Sequence, residues 1–441
     1  MFTDFETWED EIFWPAMAER YGVSEGAESD VFQPTLSVEV TTPRSSTLRQ
    51  DVKEAVVVET KQLTAPEAPP KKHIEIQLPS DLHYSAGDYL AVLPLNPKEV
   101  VYRAMRRFQL AWDVHITISA EGRTTLPTNT SIPAQDVLGA YVELAQPATK
   151  RSILALAEAT KDEGTKESLQ QLATDNYSTD ISAKRVSVLD LLERFPSIDL
   201  PFGSFLSLLP PMRVRQYSIS SSPLWNPSHV TLTYSVLDAP ALSGTGRHVG
   251  VASSYLSSLV AGDKLHVSIR PSHASFHLPV DSERTPVICI AAGSGLAPFR
   301  GFIQERAAML GAGRTLAPAL LFFGCRNPAQ DDLYRAELDR WEKMGAVEVR
   351  RAYSRRPEAS EGCKHVQHRI WHDRKEVGEL WKAGAKVFVC GSRSVGEAVK
   401  QTAIKLFIGL AKEDGKEVSE EEALKLFERV RNERYATDVF D

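Results

Sequence analysis

The sequence predicts a multidomain protein in which a small antiparallel β-barrel, interrupted by a helical insertion, is followed by a parallel α/β sheet. Three observations predict this fold class. The chain has 441 residues, which is too long for one ordinary hydrophobic core. Residues 35–96 and 208–280 contain runs in which apolar and polar side chains alternate, as in half-buried antiparallel strands. From residue 281 onward, runs that are apolar throughout alternate with helical patterns, which is typical of a parallel sheet.

Residues 1–34 are expected to form a helix and a linker that belong to neither sheet. Trp8, Ile12 and Met17 lie at helical spacing within a predicted helix over residues 5–21. Its apolar face has no predicted partner nearby, and a stretch rich in Ser, Glu and Pro follows it. The first residues lack the basic and then apolar order of a signal peptide, and no apolar run is long enough to span a bilayer.

The predicted barrel is assembled from two separated groups of strands. In the first group, residues 55–59 and 73–78 alternate and are bounded by Pro and Gly turns. Between residues 97 and 207 the apolar period becomes helical, which predicts a helical connecting domain inserted into the barrel. The second group of strands is predicted over residues 214–220, 230–237 and 264–269.

The second domain is predicted over residues 281–441. A glycine turn and then a helix follow its first strand, as the Rossmann type of α/β unit requires. Four strands are predicted, over residues 287–291, 319–323, 347–353 and 387–390.

Composition narrows the possible functions. The formal net charge of -7 at pH 7 argues against a nucleic acid as the partner. The cysteines are far apart and form no CxxC pair, so we predict neither a metal site nor a disulfide framework. A reducing, cytoplasmic setting fits this cysteine usage best. The four cysteines are Cys289, Cys325, Cys363 and Cys390.

The segment Arg215-Gln216-Tyr217-Ser218 places a cation, an aromatic ring and a hydroxyl along one predicted strand. Arg215 can bind a pyrophosphate through two nitrogens, and Tyr217 can lie flat against an isoalloxazine ring. Ser218 can offer a hydrogen bond to the flavin nitrogen that accepts a hydride. The pattern therefore indicates a flavin site. A plain strand with one surface arginine and one half-buried tyrosine is also compatible with these four residues.

Two nearby segments are candidates for the rest of the flavin site. Gly250-Val251-Ala252-Ser253 opens a predicted helix, whose free amides and serine hydroxyl can bind the same pyrophosphate. Simple helix capping by Ser253 would explain the same residues. Thr233-Tyr234-Ser235, on the strand between the two motifs, is a candidate for packing against the adenine end of the cofactor.

The second domain contains candidates for binding a nucleotide. In Gly293-Ser294-Gly295, the glycines allow close approach to a phosphate and the following helix supplies amides. This loop lacks the third glycine and the acidic ribose ligand of the usual dinucleotide fingerprint. Ser354 and Arg355 lie at the end of a strand, and Lys364 and Gln367 follow closely. This group suits the 2′-phosphate of NADPH, although a solvated basic turn would look the same.

Two further segments are of interest for chemistry. Cys390 ends a buried strand, where a thiol is also compatible with inert packing. The last eight residues, from Arg434 to Asp441, include Asp438 and the aromatic ring of Phe440. Most chain ends fray, but an ordered Phe440 could cover a flat ring.

In combination, these motifs resemble the ferredoxin-NADP reductase-like half of the diflavin reductases, the group that contains NADPH:cytochrome P-450 reductase. The resemblance begins near Thr35 and covers R-x-Y-S, G-V-A-S, G-S-G-x-A-P-F-R, F-G-C-R, V-C-G and R-Y-A-x-D-V in order. Within this group the chain looks most similar to the reductase portion of fungal self-sufficient fatty-acid hydroxylases. In those proteins a haem domain, an FMN domain and this module form one polypeptide.

The resemblance implies roles for individual residues. Ser218, Cys390 and Asp438 would line the path of the hydride, and Phe440 would cover the flavin where many relatives have tryptophan. The implied FAD-binding residues are Arg215, Tyr217, Ser218, Thr233, Tyr234, Ser235, Gly250, Val251, Ala252, Ser253 and Phe440. The implied NADPH-binding residues are Gly293, Ser294, Gly295, Cys325, Arg326, Ser354, Arg355, Lys364 and Gln367. Relatives have K-x-Y-x-Q near residue 364, whereas this chain has Cys363-Lys364-His365-Val366-Gln367, with the lysine shifted and a histidine replacing tyrosine.

The resemblance implies that NADPH delivers a hydride to FAD, and that electrons then pass singly to an FMN domain serving a haem monooxygenase. Residues 1–34 would then be the end of a flavodoxin-like FMN domain and its linker. Two other functions are compatible with the motifs. One is the reductase module of another diflavin enzyme, of the sulfite reductase or nitric oxide synthase type. The other is a module that binds flavin without turnover and mainly links domains.

Overall fold

The computed structural model describes residues 8–22, 41, 43–244, 246–273, 275–413, 415–431 and 433–440. Its contacts divide the chain into two units, residues 1–43 and 44–441. In the first unit a π-helical turn, Glu9–Phe13, leads into the helix Trp14–Tyr21. Trp14 and Tyr21 are 55% and 70% exposed, so this helix keeps an apolar surface in solvent. Residues 5–7 of the predicted helix, and the linker after it, lie outside the described residues.

The second unit contains the two predicted sheets and the insertion. Its strands, in chain order, are β1 (Lys53–Gln62), β2 (Lys71–Gln77), β3 (Tyr89–Leu93), β4 (His115–Thr117), β5 (Ser131–Pro133), β6 (Arg215–Ser218), β7 (His229–Ser235), β8 (Asp238–Pro240), β9 (Arg247–Val249), β10 (Lys264–Arg270), β11 (Val287–Ala292), β12 (Ala319–Cys325), β13 (Glu348–Tyr353), β14 (Lys386–Ser392) and β15 (Tyr435–Phe440). The α-helices from residue 43 onward are Pro43–Leu48, Lys98–Arg107, Ala134–Ala140, Lys150–Glu158, Glu163–Ala173, Val188–Arg194, Phe202–Leu208, Val251–Ser258, Ala297–Gly311, Arg335–Lys343, Val366–His372, Arg374–Lys382, Arg393–Glu413 and Glu420–Val430.

The first sheet has six antiparallel strands in the order β6-β3-β10-β1-β2-β7. Alternate side chains from these strands, such as Ile74, Leu90 and Val230, pack into one core because a strand presents every second residue to the same face. Beyond the end of β6, Ile219 forms a bridge with Leu232 of β7. The two edge strands of the sheet therefore contact each other.

The insertion between β3 and β6 is mostly helical, as predicted, and has its own core. Local sequence defines its helix ends. Thr149 and Asp162 accept hydrogen bonds from backbone amides of the first turns that follow them, and Ser187 forms a capping box with Asp190. The structure adds a short hairpin of β4 and β5, which the sequence did not predict.

The second sheet has five parallel strands in the order β13-β12-β11-β14-β15. The predicted four strands are present, and the chain end adds β15 beside β14. Both faces of the sheet are buried because helices cover them, which explains strands that are apolar throughout. In the described part of the chain, no helix combines the length and the apolar character that a membrane crossing needs.

Candidate functional site

Two pairs of neighbouring strands, one from each sheet, bring the predicted hydride-path residues together. In the first sheet, Tyr89 of β3 lies directly opposite Ser218 of β6. In the second sheet, Cys390 of β14 lies directly opposite Asp438 of β15. Residues that are directly opposite on neighbouring strands project to the same face. Each sheet thus contributes one pair of polar side chains, and the two pairs meet.

The Asp438 carboxylate is the centre of this group. The Ser218 hydroxyl donates a hydrogen bond of 2.8 Å to Asp438 Oδ2, and the Tyr89 hydroxyl donates one of 2.9 Å to Oδ1. The Cys390 thiol lies 3.7 Å from Oδ2 and donates more weakly. The structure therefore joins Ser218, Cys390 and Asp438, which are more than 40 positions apart in sequence.

The Cys390 thiol and the Tyr89 hydroxyl, which both contact Asp438, remain protonated at neutral pH. Burial raises the pKa of the Cys390 thiol well above its ordinary value, and the nearby Asp438 charge raises it further. Burial also raises the pKa of the Tyr89 hydroxyl, again with the Asp438 charge as the second cause. Cys390 is fully buried. The two groups act here as hydrogen-bond donors, not as thiolate or phenolate.

Tyr89 is a residue that the sequence reasoning missed. It precedes a run of apolar residues and belongs to none of the motifs above. Only the register of β3 against β6, which the local sequence does not specify, places it opposite Ser218. It holds the second oxygen of Asp438 and so fixes the orientation of that carboxylate.

Arg215 lies at the start of β6 close to a helix start, as a pyrophosphate site requires. Val251, at the start of helix Val251–Ser258, shares a core cluster with Met212 and with the partly buried Val214. The Arg215 guanidinium forms an ion pair of 2.9 Å with the buried Glu143, which the sequence reasoning also missed. Glu143 thus holds one end of the guanidinium, Nη1 donates to the Arg213 carbonyl at 2.9 Å, and the N–H groups not used in these contacts can bind an anion.

The helix start has the geometry of a close backbone approach. An added Cβ at Gly250 would lie 2.7 Å from Ser253 Oγ and 2.9 Å from Leu237 Cβ, so a side chain does not fit there. The Ser253 hydroxyl accepts a hydrogen bond from the Leu237 amide and donates to the Gly250 carbonyl. Ser253 therefore stabilises the local fold, and its contact with a pyrophosphate stays a prediction.

Two of the aromatic residues expected at FAD, Tyr217 and Tyr234, lie in the first sheet. Tyr217 packs at the edge of its core, with its ring edge-on to that of Tyr234 at 6.1 Å between centroids. The buried Tyr234 hydroxyl has no hydrogen-bond partner among the described residues. A buried hydroxyl without a partner is unusual in a folded protein. Together with the Arg215 cation, it fits a cofactor site that a polar ligand completes.

Thr233 and Ser235, which flank Tyr234, face the second sheet. The Thr233 hydroxyl lies 2.7 Å from the Tyr334 hydroxyl, and the Ser235 hydroxyl donates to Ser294 Oγ at 3.1 Å. The structure thus connects these residues with the nucleotide-binding half of the chain. Their predicted role at the adenine of FAD stays a prediction.

The Gly293-Ser294-Gly295 loop joins β11 to the helix Ala297–Gly311 through a 3-10 turn. Gly293 has φ of 58°, in the left-handed region that favours glycine. A Cβ on Gly295 would lie 2.3 Å from the Cys390 carbonyl oxygen. The loop therefore packs directly on the strand end that carries Cys390.

Lys71 is a cation near the glycine loop that the sequence analysis did not predict. It is 8% exposed, and its ammonium lies 3.7 Å from a carboxylate oxygen of Asp331. A Cβ added to Gly293 would be 3.5 Å from the Lys71 side chain, so this lysine borders the loop. A buried ammonium beside a glycine loop suits a phosphate.

The predicted NADPH residues of two other strands meet at the carboxyl end of the parallel sheet. The Ser354 amide bonds the Cys325 carbonyl, and the Arg355 amide bonds the Arg326 carbonyl, both at 2.9 Å. These four residues are thus neighbours in space. Burial raises the pKa of the Cys325 thiol, with the Asp331 charge as the next cause.

Exposed basic side chains lie around this sheet edge. Arg355 and Lys364 are exposed, and neither has an ion pair within the described ranges. The neighbouring Arg356, by contrast, pairs with Glu358. Gln367 is in the first turn of helix Val366–His372. A Cβ added at Gly324, near the end of β12, would lie 2.8 Å from the Val366 side chain, which shows that this helix start packs against the end of β12.

Phe440 lies two residues after Asp438 on β15, so the two side chains share a face of the strand. Its ring is 42% exposed. An ordered, half-exposed ring on the side of the hydride-path residues fits the predicted cover for a flavin.

The prediction of no metal site stays a prediction. Within the described residues, Glu59, His73 and Glu75 offer ligand atoms that lie within 4.8 Å of one another. Lys61 lies 3.7 Å from Glu59, and His229 lies 2.5 Å from Glu75. Both carboxylates therefore have basic partners, and we assign no metal to this group.

Comparison with known proteins identifies both halves of the chain. Residues 46–255 match the FAD binding domain family, and residues 289–401 match the oxidoreductase NAD-binding domain family. The chain is 64% identical over 441 residues to a bifunctional cytochrome P450/NADPH--P450 reductase of Fusarium oxysporum. It is 49% and 48% identical to self-sufficient cytochrome P450 monooxygenases of Exserohilum turcicum and Phanerodontia chrysosporium.

These alignments cover the whole of this chain but only 41% of each of the three relatives. The part they share contains both matched domains, and FAD and NADPH are the cofactors of this arrangement. The predicted resemblance is confirmed: the chain is an oxidoreductase that combines an FAD-binding domain with an NAD-binding domain, and over its whole length it is similar to the reductase part of fungal P450–reductase fusions.

Proposed function

We propose that this chain accepts a hydride from NADPH on FAD and passes electrons singly to an FMN domain that serves a haem monooxygenase. One observation carries the proposal: Ser218 of the first sheet bonds Asp438 of the second, with Cys390 beside it. A hydride acceptor held by one sheet and a donor held by the other would meet at this contact.

Individual residues would prepare this transfer. FAD supplies the redox chemistry when bound, and the chain positions it. Arg215, held by Glu143, binds the pyrophosphate, and Ser218 presents its hydroxyl at the reacting end. Asp438 is poised to stabilise positive charge that develops on the nicotinamide. Arg355 and Lys364 select the 2′-phosphate because neither charge is paired with an acid among the described residues.

The partners follow from the relatives, whose names join a P450 to its reductase. We propose that the FMN and haem domains lie in the same full-length polypeptide, and that residues 1–34 are the last helix of the FMN domain and a linker. The exposed Trp14 and Tyr21 support this proposal, because such a surface normally packs on a partner. The names of these relatives, which are all P450 proteins, favour a haem acceptor over a partner of the sulfite reductase or nitric oxide synthase type.

We also propose that the first sheet closes into a barrel, which the Ile219–Leu232 bridge supports. The proposed domain boundaries are residues 35–96 and 208–280 for the FAD-binding barrel, 97–207 for the connecting domain and 281–441 for the NADPH-binding domain. A cytoplasmic location is supported by four cysteines that are all buried and unpaired.

Anaerobic mixing of the yellow protein with NADPH tests the function. We expect the flavin absorbance to bleach within seconds, and the reduced protein to reduce ferricyanide well but cytochrome c poorly, because the latter normally takes electrons from FMN. Absence of bleaching would favour a flavin-binding linking module without turnover. Rapid cytochrome c reduction without an added FMN domain would contradict the proposed electron path.

A further inference from the structure

A cavity lies within the core behind the parallel sheet, on the face away from the first sheet's contacts. Its volume is about 330 Å³, within the range of sites that bind small molecules. Ile288 and Ile290 of β11 form its floor, whereas Cys289 and Ala291 point to the other core. The helices Arg393–Glu413 and Glu420–Val430 contribute most of the remaining lining.

The lining is almost entirely apolar. Such cavities stay free of water, since water would find too few hydrogen-bond partners, and they accept apolar molecules instead. Several lining side chains are only partly buried, which allows entry without unfolding of the sheet. These partly buried residues include Phe407, Leu410, Leu426 and Phe427.

One hydroxyl in the lining has no partner. Tyr435 is 4% exposed, and its Oη forms no hydrogen bond with any described residue. Burial raises the pKa of this hydroxyl, so it keeps its proton and is a donor at neutral pH. A buried donor without an acceptor destabilises the fold, and a ligand that supplies an acceptor removes that penalty.

Arg434, the one cation among the described lining residues, already has partners within the protein. The Arg434 guanidinium stacks on Trp381 at 3.8 Å and donates to the carbonyls of Trp381 and Ala385. It therefore needs no anionic ligand. The chemistry of the lining favours a neutral molecule over a carboxylate.

We propose that this cavity binds a small, neutral, mostly apolar molecule with one hydrogen-bond acceptor that the Tyr435 hydroxyl contacts. Aryl ketones have this chemistry. The site is separate from the hydride-path residues and does not depend on the proposed function.

Two probes of matched shape test the inference: acetophenone, which has a ketone acceptor, and α-methylstyrene, in which a CH₂ group replaces the oxygen. Ligand-observed NMR titrations of the FAD-loaded protein should show saturable binding of both. Acetophenone should bind about fivefold more tightly because of one additional neutral hydrogen bond.

Two variants locate the binding. Tyr435→Phe keeps the ring and should abolish the difference between the probes, whereas the control Tyr102→Phe, at a half-exposed tyrosine of the insertion, should preserve it. Ala403→Leu adds bulk to the lining and should weaken both probes strongly. No saturable binding, equal affinities in the unaltered protein, or binding that survives Ala403→Leu would each overturn the inference.

Discussion

The two ends of the candidate site differ in how far their polar groups are already bonded within the protein. At the hydride end, Asp438 accepts hydrogen bonds from both Ser218 and Tyr89. At the nucleotide end, Arg355 and Lys364 are exposed and have no ion pair in the described part of the chain. The chemical step needs a fixed geometry before the substrate arrives, whereas selection of a phosphate needs charges that are still free.

Asp438→Asn should have the largest effect, because it removes the negative charge to which Ser218 and Tyr89 donate hydrogen bonds. We expect flavin reduction by NADPH to slow by about 10²-fold, as loss of a charged catalytic group commonly does. Stopped-flow absorbance under anaerobic conditions measures this rate. Asp113→Asn, an exposed carboxylate of the insertion, is the control. A rate within twofold of the unaltered protein would remove Asp438 from the transfer.

Arg355→Ala should affect binding and leave the chemical step intact. The loss of one charge-assisted bond predicts a KM for NADPH raised by roughly tenfold to a hundredfold, with little change for NADH. Arg356→Ala is a matched control, since that neighbour already pairs with Glu358. Equal effects on NADPH and NADH would exclude a role in contacting the 2′-phosphate.

Tyr89→Phe tests whether the orientation of Asp438 matters in addition to its charge. The change removes one donor without altering the ring, so we expect flavin reduction to slow by about fivefold while KM for NADPH stays constant. Steady-state and stopped-flow measurements separate the two quantities. A raised KM with an unchanged reduction rate would assign Tyr89 to binding instead.

Phe440→Ala should have a smaller effect. If the ring covers the flavin, nicotinamide must displace it, and stacking of aromatic rings contributes roughly 0.5–1.5 kcal/mol. We expect faster flavin reduction by a few-fold and a weaker preference for NADPH over NADH. An unchanged rate together with an unchanged preference would show that the ring does not gate the transfer.

The pH dependence should be the smallest effect. The pKa values of Cys390 and Tyr89 are both raised, so their protonated, donating forms persist to higher pH than in exposed groups. Flavin reduction should therefore stay constant between about pH 7 and pH 9, where an ordinary thiol would ionise. A fall in the stopped-flow rate across this range would indicate that a donor to Asp438 ionises earlier.

The sequence allowed prediction of both sheets, because strand alternation and continuous apolar runs are local patterns. Strand alternation located β2 and β7 within a few residues, and the resemblance joined Ser218, Cys390 and Asp438 before any contact was known. The position of β15 was not predicted, since a strand at a sheet edge has no local signal that separates it from a frayed end.

The supporting residues were missed for a different reason. Glu143 lies more than 70 positions before Arg215, and Tyr89 lies in an otherwise apolar strand. Their roles depend on strand register and on the docking of the insertion, which are tertiary properties. Residues that contact a cofactor tend to form motifs, whereas those that hold them in place are scattered along the chain.

The absence of a side chain at Gly295 limits how the glycine loop can vary among related chains. Any larger residue there would collide with the Cys390 carbonyl, 2.3 Å from the position of its Cβ. A substitution at Gly295 would therefore displace the backbone of Cys390. Because the colliding atoms belong to the backbone, no change of the side chain at residue 390 would relieve the collision, and position 295 should remain glycine as such chains diverge, whichever residue stands at 390.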